Sequence, residues 1–246
     1  VDKIKIDVNK QNILFKNIDT MIITKIVYLM SLTMRYTIFF YFIRGVFIME
    51  HYYTNNPTTK SCEKIISSKI KNIELQFYTD NGVFSKENVD FGTKVLLENF
   101  YSKKEYADVA DVGCGYGVIS IFLAKKNPNY KFTMIDVNNR SLELSKKNIE
   151  LNKIDNKIEI IESSSFDNVK GTFDIVLTNP PIRAGKQIVH KIMTDSFEHL
   201  KSDGELWVVI QKKQGMASCK KLLENLFNSV EVIAKNKGYY ILKAAK

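Results

Sequence analysis

The chain contains 246 residues with a formal net charge of +9, and 45% of its residues are hydrophobic and 26% charged. This composition is typical of a globular protein with a sizeable core and excludes a disordered or collagen-like chain. Cys62, Cys114 and Cys219 form no CxxC pair, which disfavours a disulfide framework and a structural zinc site and predicts a reducing, cytoplasmic location. The positive charge permits a nucleic acid partner without establishing one.

The first 48 residues differ from the rest of the chain. The longest uncharged run in their apolar stretch, Ile26 to Met34, is far shorter than the roughly 18 residues that a membrane-spanning helix needs, so we expect no stable membrane association. We interpret residues 1–48 as an N-terminal extension. A further hypothesis is that they are untranslated upstream sequence, because Met49 opens an ordinary protein start and Arg44-Gly45-Val46 can be encoded by AGA-GGA-GTN, which contains a purine-rich ribosome-binding site.

From about residue 71 the hydrophobic pattern alternates between strands and helices. The predicted strands cover Ile73–Thr79, Asp108–Val112, Lys131–Asp136, Ile158–Ile161, Phe173–Leu177, Glu205–Ile210, Val230–Ala234 and Tyr239–Leu242. The predicted helices cover Val89–Phe100, Val118–Lys126, Ser141–Leu151, Lys186–Leu200 and Met216–Phe227. This order predicts a doubly wound, mostly parallel α/β sheet with a C-terminal antiparallel hairpin over residues 49–246, in which 49–88 form an N-terminal cap segment.

A glycine-rich loop follows the second predicted strand. It reads Asp111-Val112-Gly113-Cys114-Gly115-Tyr116-Gly117 and lies at a strand-to-helix junction. Glycines let a backbone approach a ligand where a Cβ atom would collide, and ligands of a doubly wound sheet bind at the carboxyl ends of its strands. The alternative interpretation is a tight turn without a ligand.

An acidic residue ends the next predicted strand. Asp136 is placed where a carboxylate accepts hydrogen bonds from ribose hydroxyl groups. The alternative is a helix N-cap, although Asn138 and Asn139 are better placed to cap the helix that follows.

The third motif is Asn179-Pro180-Pro181-Ile182, which follows the apolar strand 173–177. Two prolines fix the backbone and remove two N–H donors. The Asn179 side-chain oxygen and the Pro180 carbonyl could then accept both hydrogens of an amino group, and two acceptors placed out of its plane would localise the nitrogen lone pair. The alternative is a simple strand terminator.

These motifs, in this order, resemble the class I S-adenosylmethionine-dependent methyltransferases, whose Rossmann-like sheet has seven strands and ends in such a hairpin. More narrowly, Gly82-Val83-Phe84-Ser85, Val89 to Thr93, Asn179 to Lys186 and Gly204 to Gly215 are similar to the 16S (small-subunit) rRNA guanine-N2 methyltransferase family, in particular to its small single-domain bacterial relatives. The resemblance covers the chain from Glu50 to Lys243.

The resemblance implies an N-methyltransferase with S-adenosylmethionine as cofactor, no metal, and guanine N2 of 16S rRNA, free or in the 30S subunit, as target. The residues that it places at the cofactor are Phe84, Asp90, Thr93, Asp111, Gly113, Cys114, Gly115, Gly117, Asp136, Ser164 and Asn179. Catalysis is assigned to Asn179, Pro180, Pro181 and Ile182, which would receive the amino group. The cations expected to contact RNA phosphates are Arg183, Lys186, Lys212 and Lys213.

Three departures from the family pattern stand out. Ile182 occupies a position that often holds an aromatic residue, and Ser164 one that commonly holds Asp or Asn. The larger family members have two methyltransferase domains, whereas this chain has room for one. Two alternative functions remain open: a protein glutamine N5-methyltransferase, which also uses an Asn-Pro-Pro site, and a non-catalytic RNA-binding module that kept the fold.

Overall fold

The computed structural model describes residues 55–246, and these belong to one compact unit that spans residues 50–246. The predicted extension, 1–48, and the first six residues of the predicted cap segment lie outside the described residues. None of the helices between residues 55 and 246 has the length and hydropathy that a membrane crossing requires. Within the same range, no group of three His, Cys, Asp or Glu side chains is placed to hold a metal ion.

The described part begins with an antiparallel hairpin that forms its own two-stranded sheet. It consists of β1 (Lys64–Ile70) and β2 (Ile73–Thr79). Side chains alternate between the two faces, so that Ile70, Leu75 and Phe77 are buried in the core. The sequence pattern predicted β2 but missed β1, because Ser67 and Ser68 interrupt its apolar residues.

Seven strands form the central sheet in the order β5-β4-β3-β6-β7-β9-β8. Their bounds are β3 (Asp108–Val112), β4 (Lys131–Asp136), β5 (Ile158–Glu162), β6 (Phe173–Thr178), β7 (Leu200–Gln211), β8 (Ser229–Asn236) and β9 (Tyr239–Ala245). β9 is antiparallel to both β7 and β8, and the other pairs are parallel. The predicted doubly wound sheet with its C-terminal hairpin is therefore confirmed.

Helices cover both faces of this sheet. They are α1 (Phe91–Asn99), α2 (Val118–Lys126), α3 (Asn139–Leu151), α4 (Lys186–His199) and α5 (Met216–Leu226). Buried residues of α1, α2 and α3 pack in one core cluster, and those of α4 and α5 in a second cluster. The sheet separates the two clusters because alternate residues of each strand point to opposite faces.

Several predicted boundaries shift, among them the start of the helix predicted from Val89, which begins at Phe91, and the ends of β8 and β9, which are longer than predicted. Two further shifts have local reasons. α3 begins two residues earlier than predicted, at Asn139, because the Asn138 side chain accepts a hydrogen bond from the Ser141 N–H and caps the helix. β7 begins at Leu200 rather than Glu205, since Leu200 already has an extended backbone and pairs with Phe173.

The topology defines where a ligand binds. From β3 the chain moves outward to β4 and β5, and then returns to β6 on the other side of β3. Carboxyl ends of strands at such a reversal form a crevice. Val112 and Thr178 pair at these ends, and the Thr178 Oγ1 donates a hydrogen bond to the Val112 carbonyl at 2.8 Å.

Candidate functional site

A cleft of about 710 Å³, partly open to solvent, lies at the carboxyl ends of β3, β4 and β6. The structure brings ten of the sequence-predicted site residues together around it: Phe84, Asp90, Thr93, Gly113, Cys114, Gly115, Asp136, Asn179, Pro180 and Pro181.

The glycine-rich loop forms the floor of the cleft. The backbone N–H groups of Gly113 and Cys114 both donate to the Ile135 carbonyl, at 2.8 and 3.0 Å, which ties the loop to β4. Gly115 has a φ of +56° and nothing within 4 Å of the place where a Cβ atom would be, so its surface is open to a ligand. Gly117 serves packing instead: a Cβ there would lie 2.9 Å from the Met134 side chain, and the residue does not line the cleft.

Asp111 lies beneath the loop rather than in the cleft wall, where the sequence placed it. Its Oδ2 accepts hydrogen bonds from the Ser120 N–H at 3.1 Å and the Ser120 hydroxyl at 2.8 Å. Its Oδ1 is buried without any partner among the described residues. Burial raises the pKa of Asp111 to about 7. An unpaired buried carboxylate oxygen favours a donor or a cation next to it.

Asp136 lines the cleft, and its carboxylate is held by the backbone. Its Oδ2 accepts from the Gly115 N–H at 2.8 Å, and its Oδ1 accepts from the Asn138 N–H at 2.9 Å. Burial raises the pKa of Asp136, and the hydrogen bonds from the backbone oppose that shift. Since Asn138 caps α3, Asp136 is not the helix cap, and its remaining lone pairs are available to a ligand.

The Asn179 side chain has a fixed orientation at the other end of the cleft. Its Nδ2 donates to the Asp90 Oδ2 at 3.0 Å and to the Thr93 Oγ1 at 2.9 Å. A carboxylate only accepts hydrogen bonds, so the amide nitrogen must face Asp90 and the amide oxygen must point elsewhere. Asp90 and Thr93, expected to close over the cofactor, therefore act directly on Asn179.

Asp90 also connects this site to α1. The same Oδ2 accepts from the Thr93 N–H at 2.9 Å and caps the helix.

Of the two proline carbonyls in the Asn-Pro-Pro motif, that of Pro181 accepts from the Ala184 N–H at 2.9 Å. The Asn179 side-chain oxygen and the Pro180 carbonyl are the acceptors of the motif to which no donor among the described residues is bonded.

Besides Asp111 and Gly117, two predicted cofactor- or target-site residues do not line the cleft. Ile182 begins a 3-10 turn, Ile182–Ala184, and packs against the core cluster of α4 and α5. Ser164 follows β5, where its carbonyl accepts from the Asp167 N–H at 3.3 Å. The sequence analysis placed both in the cleft because the position of a residue in a motif does not show in which direction its side chain points.

The sequence analysis missed five residues of the lining: Ser85, Tyr116, Val118, Ile119 and Ser141. Tyr116 is the most informative of these. It is buried, burial raises its pKa, and its hydroxyl donates to the Ser85 carbonyl at 3.2 Å. Its position between Gly115 and Gly117, within the glycine-rich loop, was the feature of the sequence that could have identified it as a lining residue. The contact connects the glycine-rich loop to the segment before α1. Cys114 is likewise buried, which raises the pKa of its thiol.

Comparison with known proteins gives the family. A family model described as the methyltransferase small domain matches residues 74–243, more than half of the chain. A Bacillus subtilis protein named uncharacterized protein YbxB is 49% identical over 199 residues, which cover 80% of this chain and 98% of that protein. The ribosomal RNA small subunit methyltransferase C of Haemophilus influenzae is 33% identical over 165 residues, 65% of this chain and 48% of that enzyme.

Solved structures share the fold. The Thermus thermophilus 16S rRNA N2 G1207 methyltransferase, solved with AdoMet and guanosine, has a TM-score of 0.67 at 24% identity over 77% of this chain and 52% of that one. A Pyrococcus furiosus methyltransferase has a TM-score of 0.56 at 23% identity, covering 68% and 90%. The chain spans about half the length of the rRNA methyltransferases that it matches. It belongs to the methyltransferase small domain family, within the class I S-adenosylmethionine-dependent methyltransferases.

Proposed function

We propose that this protein methylates the exocyclic N2 amino group of a guanine in 16S rRNA. The observation that carries the proposal is the orientation of the Asn179 amide, whose two N–H groups face Asp90 and Thr93. That arrangement leaves Oδ1, next to the Pro180 carbonyl, as an acceptor for an amino group at the cleft. The same geometry speaks against a strand terminator, which needs no oriented amide.

The chain's own residues fit the cofactor. The open surface of Gly115 admits a ligand close to the backbone, and the buried Asp111 carboxyl group beneath the loop would favour a ligand with positive charge at this end of the cleft. Asp136 would accept hydrogen bonds from the ribose hydroxyls, with Gly113, Cys114 and Phe84 around it. S-adenosylmethionine, when bound, supplies an electrophilic methyl group on a sulfonium.

The target site would work by orientation rather than by a strong base. An amino group on an aromatic ring is a poor nucleophile because its lone pair is delocalised into the ring. Asn179 Oδ1 and the Pro180 carbonyl would each accept one amino hydrogen and hold the nitrogen toward the cofactor. Such positioning and electrostatic stabilisation account for large rate effects in other enzymes.

The RNA substrate is suggested by relatives and by exposed cations. Several relatives that are 30–33% identical are named as small-subunit rRNA methyltransferases. Arg183, Lys186, Lys212 and Lys213 are all exposed and follow the carboxyl ends of β6 and β7, next to the cleft. A ribosomal substrate would place the reaction in the cytoplasm.

The test offers methyl-labelled S-adenosylmethionine and the full chain to 16S rRNA, to 30S subunits and to bulk cell protein. We expect labelled N2-methylguanosine from rRNA or subunits. Asn179→Ala should lower the turnover number by about 100-fold or more while cofactor binding stays intact. The matched control is Asn228→Ala, which removes an exposed amide at the opposite edge of the sheet.

Label confined to protein would contradict the proposal and favour the glutamine alternative. An Asn179→Ala variant with unchanged turnover would also contradict it, because the oriented amide would then have no role. RNA binding without any turnover, under conditions where the cofactor binds, would favour the non-catalytic alternative.

A further inference from the structure

Unpaired positive charge collects at one part of the edge that holds the cleft, around the carboxyl ends of β6 and β7 and the turn between β8 and β9. Residues 55–246 hold 29 basic and 23 acidic residues, a net charge of +6. Four short segments at this edge, 90–93, 179–186, 211–216 and 235–239, hold six cations and one carboxylate. They carry +5, whereas the carboxyl ends of β3, β4 and β5 at the same edge hold the acidic residues Asp111, Asp136 and Glu162. The six cations are Arg183, Lys186, Lys212, Lys213, Lys235 and Lys237.

Strand register places these segments together. β6 and β7 run parallel, so the segments after Thr178 and after Ile210 lie at the same edge. β9 runs antiparallel to β7, and Gln211 pairs with Tyr239. The turn between β8 and β9 is therefore at this edge too, although it is far away in sequence.

The β8–β9 turn, Lys237-Gly238, is held firmly against the site. The Lys212 N–H donates to the Gly238 carbonyl at 2.8 Å. The rings of Tyr239 and Phe91 contact each other with centroids 5.6 Å apart, and the Lys237 Nζ lies 5.1 Å from the centre of the Phe91 ring. Phe91 directly follows Asp90, the residue that holds the Asn179 amide.

These cations are not neutralised by the fold. All six side chains are exposed, and among the described residues no carboxylate oxygen lies within 4.0 Å of any of them. Lys104, Lys191 and Lys201, by contrast, each contact two carboxylates. Unpaired charges that surround one site raise the local concentration of an oppositely charged partner.

We propose that the β8–β9 turn, with Lys235 and Lys237, binds the phosphates of an unpaired RNA strand whose target nucleotide enters the cleft. This inference rests on the proposed function. A base can reach the cleft only when it is turned out of its strand, and phosphates then lie on both sides of it. Arg183 and Lys186 would contact one side, and Lys212, Lys213 and the turn the other. Lysine suits this role because it contacts phosphate as a point charge without reading sequence.

The test uses the full chain and measures the affinity for a 16S rRNA transcript and for a mixed-sequence single-stranded oligonucleotide as a function of salt. Lys237→Asn removes the cation of the turn and converts Lys237-Gly238 to Asn-Gly. Both central residues of the turn have positive φ, +45° and +84°, and Asn-Gly is the preferred sequence for such a two-residue turn. Folding is therefore preserved, which thermal melting would verify. The second variant, Lys235→Gln/Lys237→Asn, removes the cation near the end of β8 as well as the cation of the turn.

Each lost phosphate contact should reduce the slope of log affinity against log salt by roughly 0.7 for a single strand, so the double variant should lose about 1.4. The matched control is Lys131→Gln/Lys157→Gln, which removes two exposed lysines at the opposite edge of the sheet and should leave the slope unchanged.

An unchanged slope in the turn variants, or an equal loss in the control, would overturn the inference. So would a wild-type affinity that does not depend on salt. Turnover is scored separately: if the wild type binds RNA through the turn but makes no N2-methylguanosine, the proposed function fails and the RNA-binding surface stands. If the wild type makes that product and the turn variants keep the wild-type slope, the surface alone fails.

Discussion

The two edges of the central sheet treat charge in opposite ways. At the amino edge, the Lys201 Nζ lies 3.0 Å from Asp108 and 2.8 Å from Asp174, and the Lys104 Nζ lies 3.3 Å from Asp174. At the carboxyl edge, the Asp111 Oδ1 has no hydrogen-bond partner among the described residues. The six exposed cations around the cleft form no ion pair with any carboxylate of residues 55–246. The comparison teaches that the cluster of Lys104, Lys201 and Asp174 uses its charges for stability, whereas the charges around the cleft remain available to ligands.

The largest expected effect comes from exchanging the charge between Asp90 and Asn179. Asn179→Asp alone sets two carboxylates about 3 Å apart, as the present Asp90–Asn179 contact shows, and their repulsion raises the pKa of one of the two. We expect the turnover number to fall by about 100-fold at neutral pH and to recover partly as the pH falls through that raised pKa.

The double variant, Asp90→Asn/Asn179→Asp, should restore much of the loss. The amide introduced at position 90 would still cap α1 with its oxygen, and its nitrogen would donate to the carboxylate introduced at position 179. Turnover, the KM for RNA and cofactor affinity would be measured for both single variants and the pair. A double variant as inactive as Asn179→Asp would show that the orientation of this amide is not what the reaction requires.

Next in size is the effect of Asp111→Asn, which trades function for stability. The folded pKa of Asp111 is about 7, above the ordinary 3.8, so the unfolded state ionises first and the stability of the cofactor-free protein declines as the pH rises from about 4 to 7. The variant lacks this decline and should be the more stable protein at pH 8. It should also bind S-adenosylmethionine about tenfold more weakly at pH 8, because the negative charge beneath the glycine-rich loop is lost.

Melting temperatures at pH 5 and pH 8, with and without cofactor, check both parts. Asp155→Asn is the control, since Asp155 is exposed and should change neither quantity. The interpretation of Asp111 fails if the variant keeps the wild-type loss of stability between pH 5 and pH 8.

At the amino edge the expected effect is on stability alone. Burial raises the pKa of Asp174. Hydrogen bonds from Lys201, the Asp108 N–H and Lys104 lower the same pKa by more than burial raises it, so that it lies below the ordinary value of 3.8. The ionised Asp174 carboxylate therefore stabilises the folded state above about pH 4, and this stabilisation is lost as the pH falls through the pKa of the folded state. Asp174→Asn should lower the free energy of unfolding at pH 7 by about 1–3 kcal/mol and leave the turnover number unchanged.

Urea unfolding at pH 7 and pH 3 measures this difference, which should shrink at the lower pH. Equal destabilisation at both pH values would mean that the contact is not ionic. A loss of turnover in Asp174→Asn would contradict the interpretation that this amino-edge cluster serves stability and not activity.

Most of the fold could be predicted from sequence, because hydrophobic period and glycine positions are local signals. Asp136 and the glycine-rich loop were found in this way. The roles of Asp90 and Thr93 were not, since they bond to Asn179 across 89 and 86 positions of the chain. Likewise, Lys237 joins the site only through the pairing of β9 with β7, and no local pattern encodes that register.

The smallest expected effect on activity concerns Ile182, which sequence comparison placed at the target base. Its side chain packs with Val189 and Ile210 on the far side of the sheet from the glycine-rich loop. Ile182→Ala should therefore lower the free energy of unfolding by about 1–2 kcal/mol, less than a fully buried truncation, and change the turnover number and the KM for RNA by less than about twofold. Leu222→Ala, which truncates a partly buried residue of the same cluster, is the matched control for stability. A KM for RNA that rises tenfold in Ile182→Ala but not in Leu222→Ala would return Ile182 to the target site, and would mean that the 3-10 turn rearranges when RNA binds.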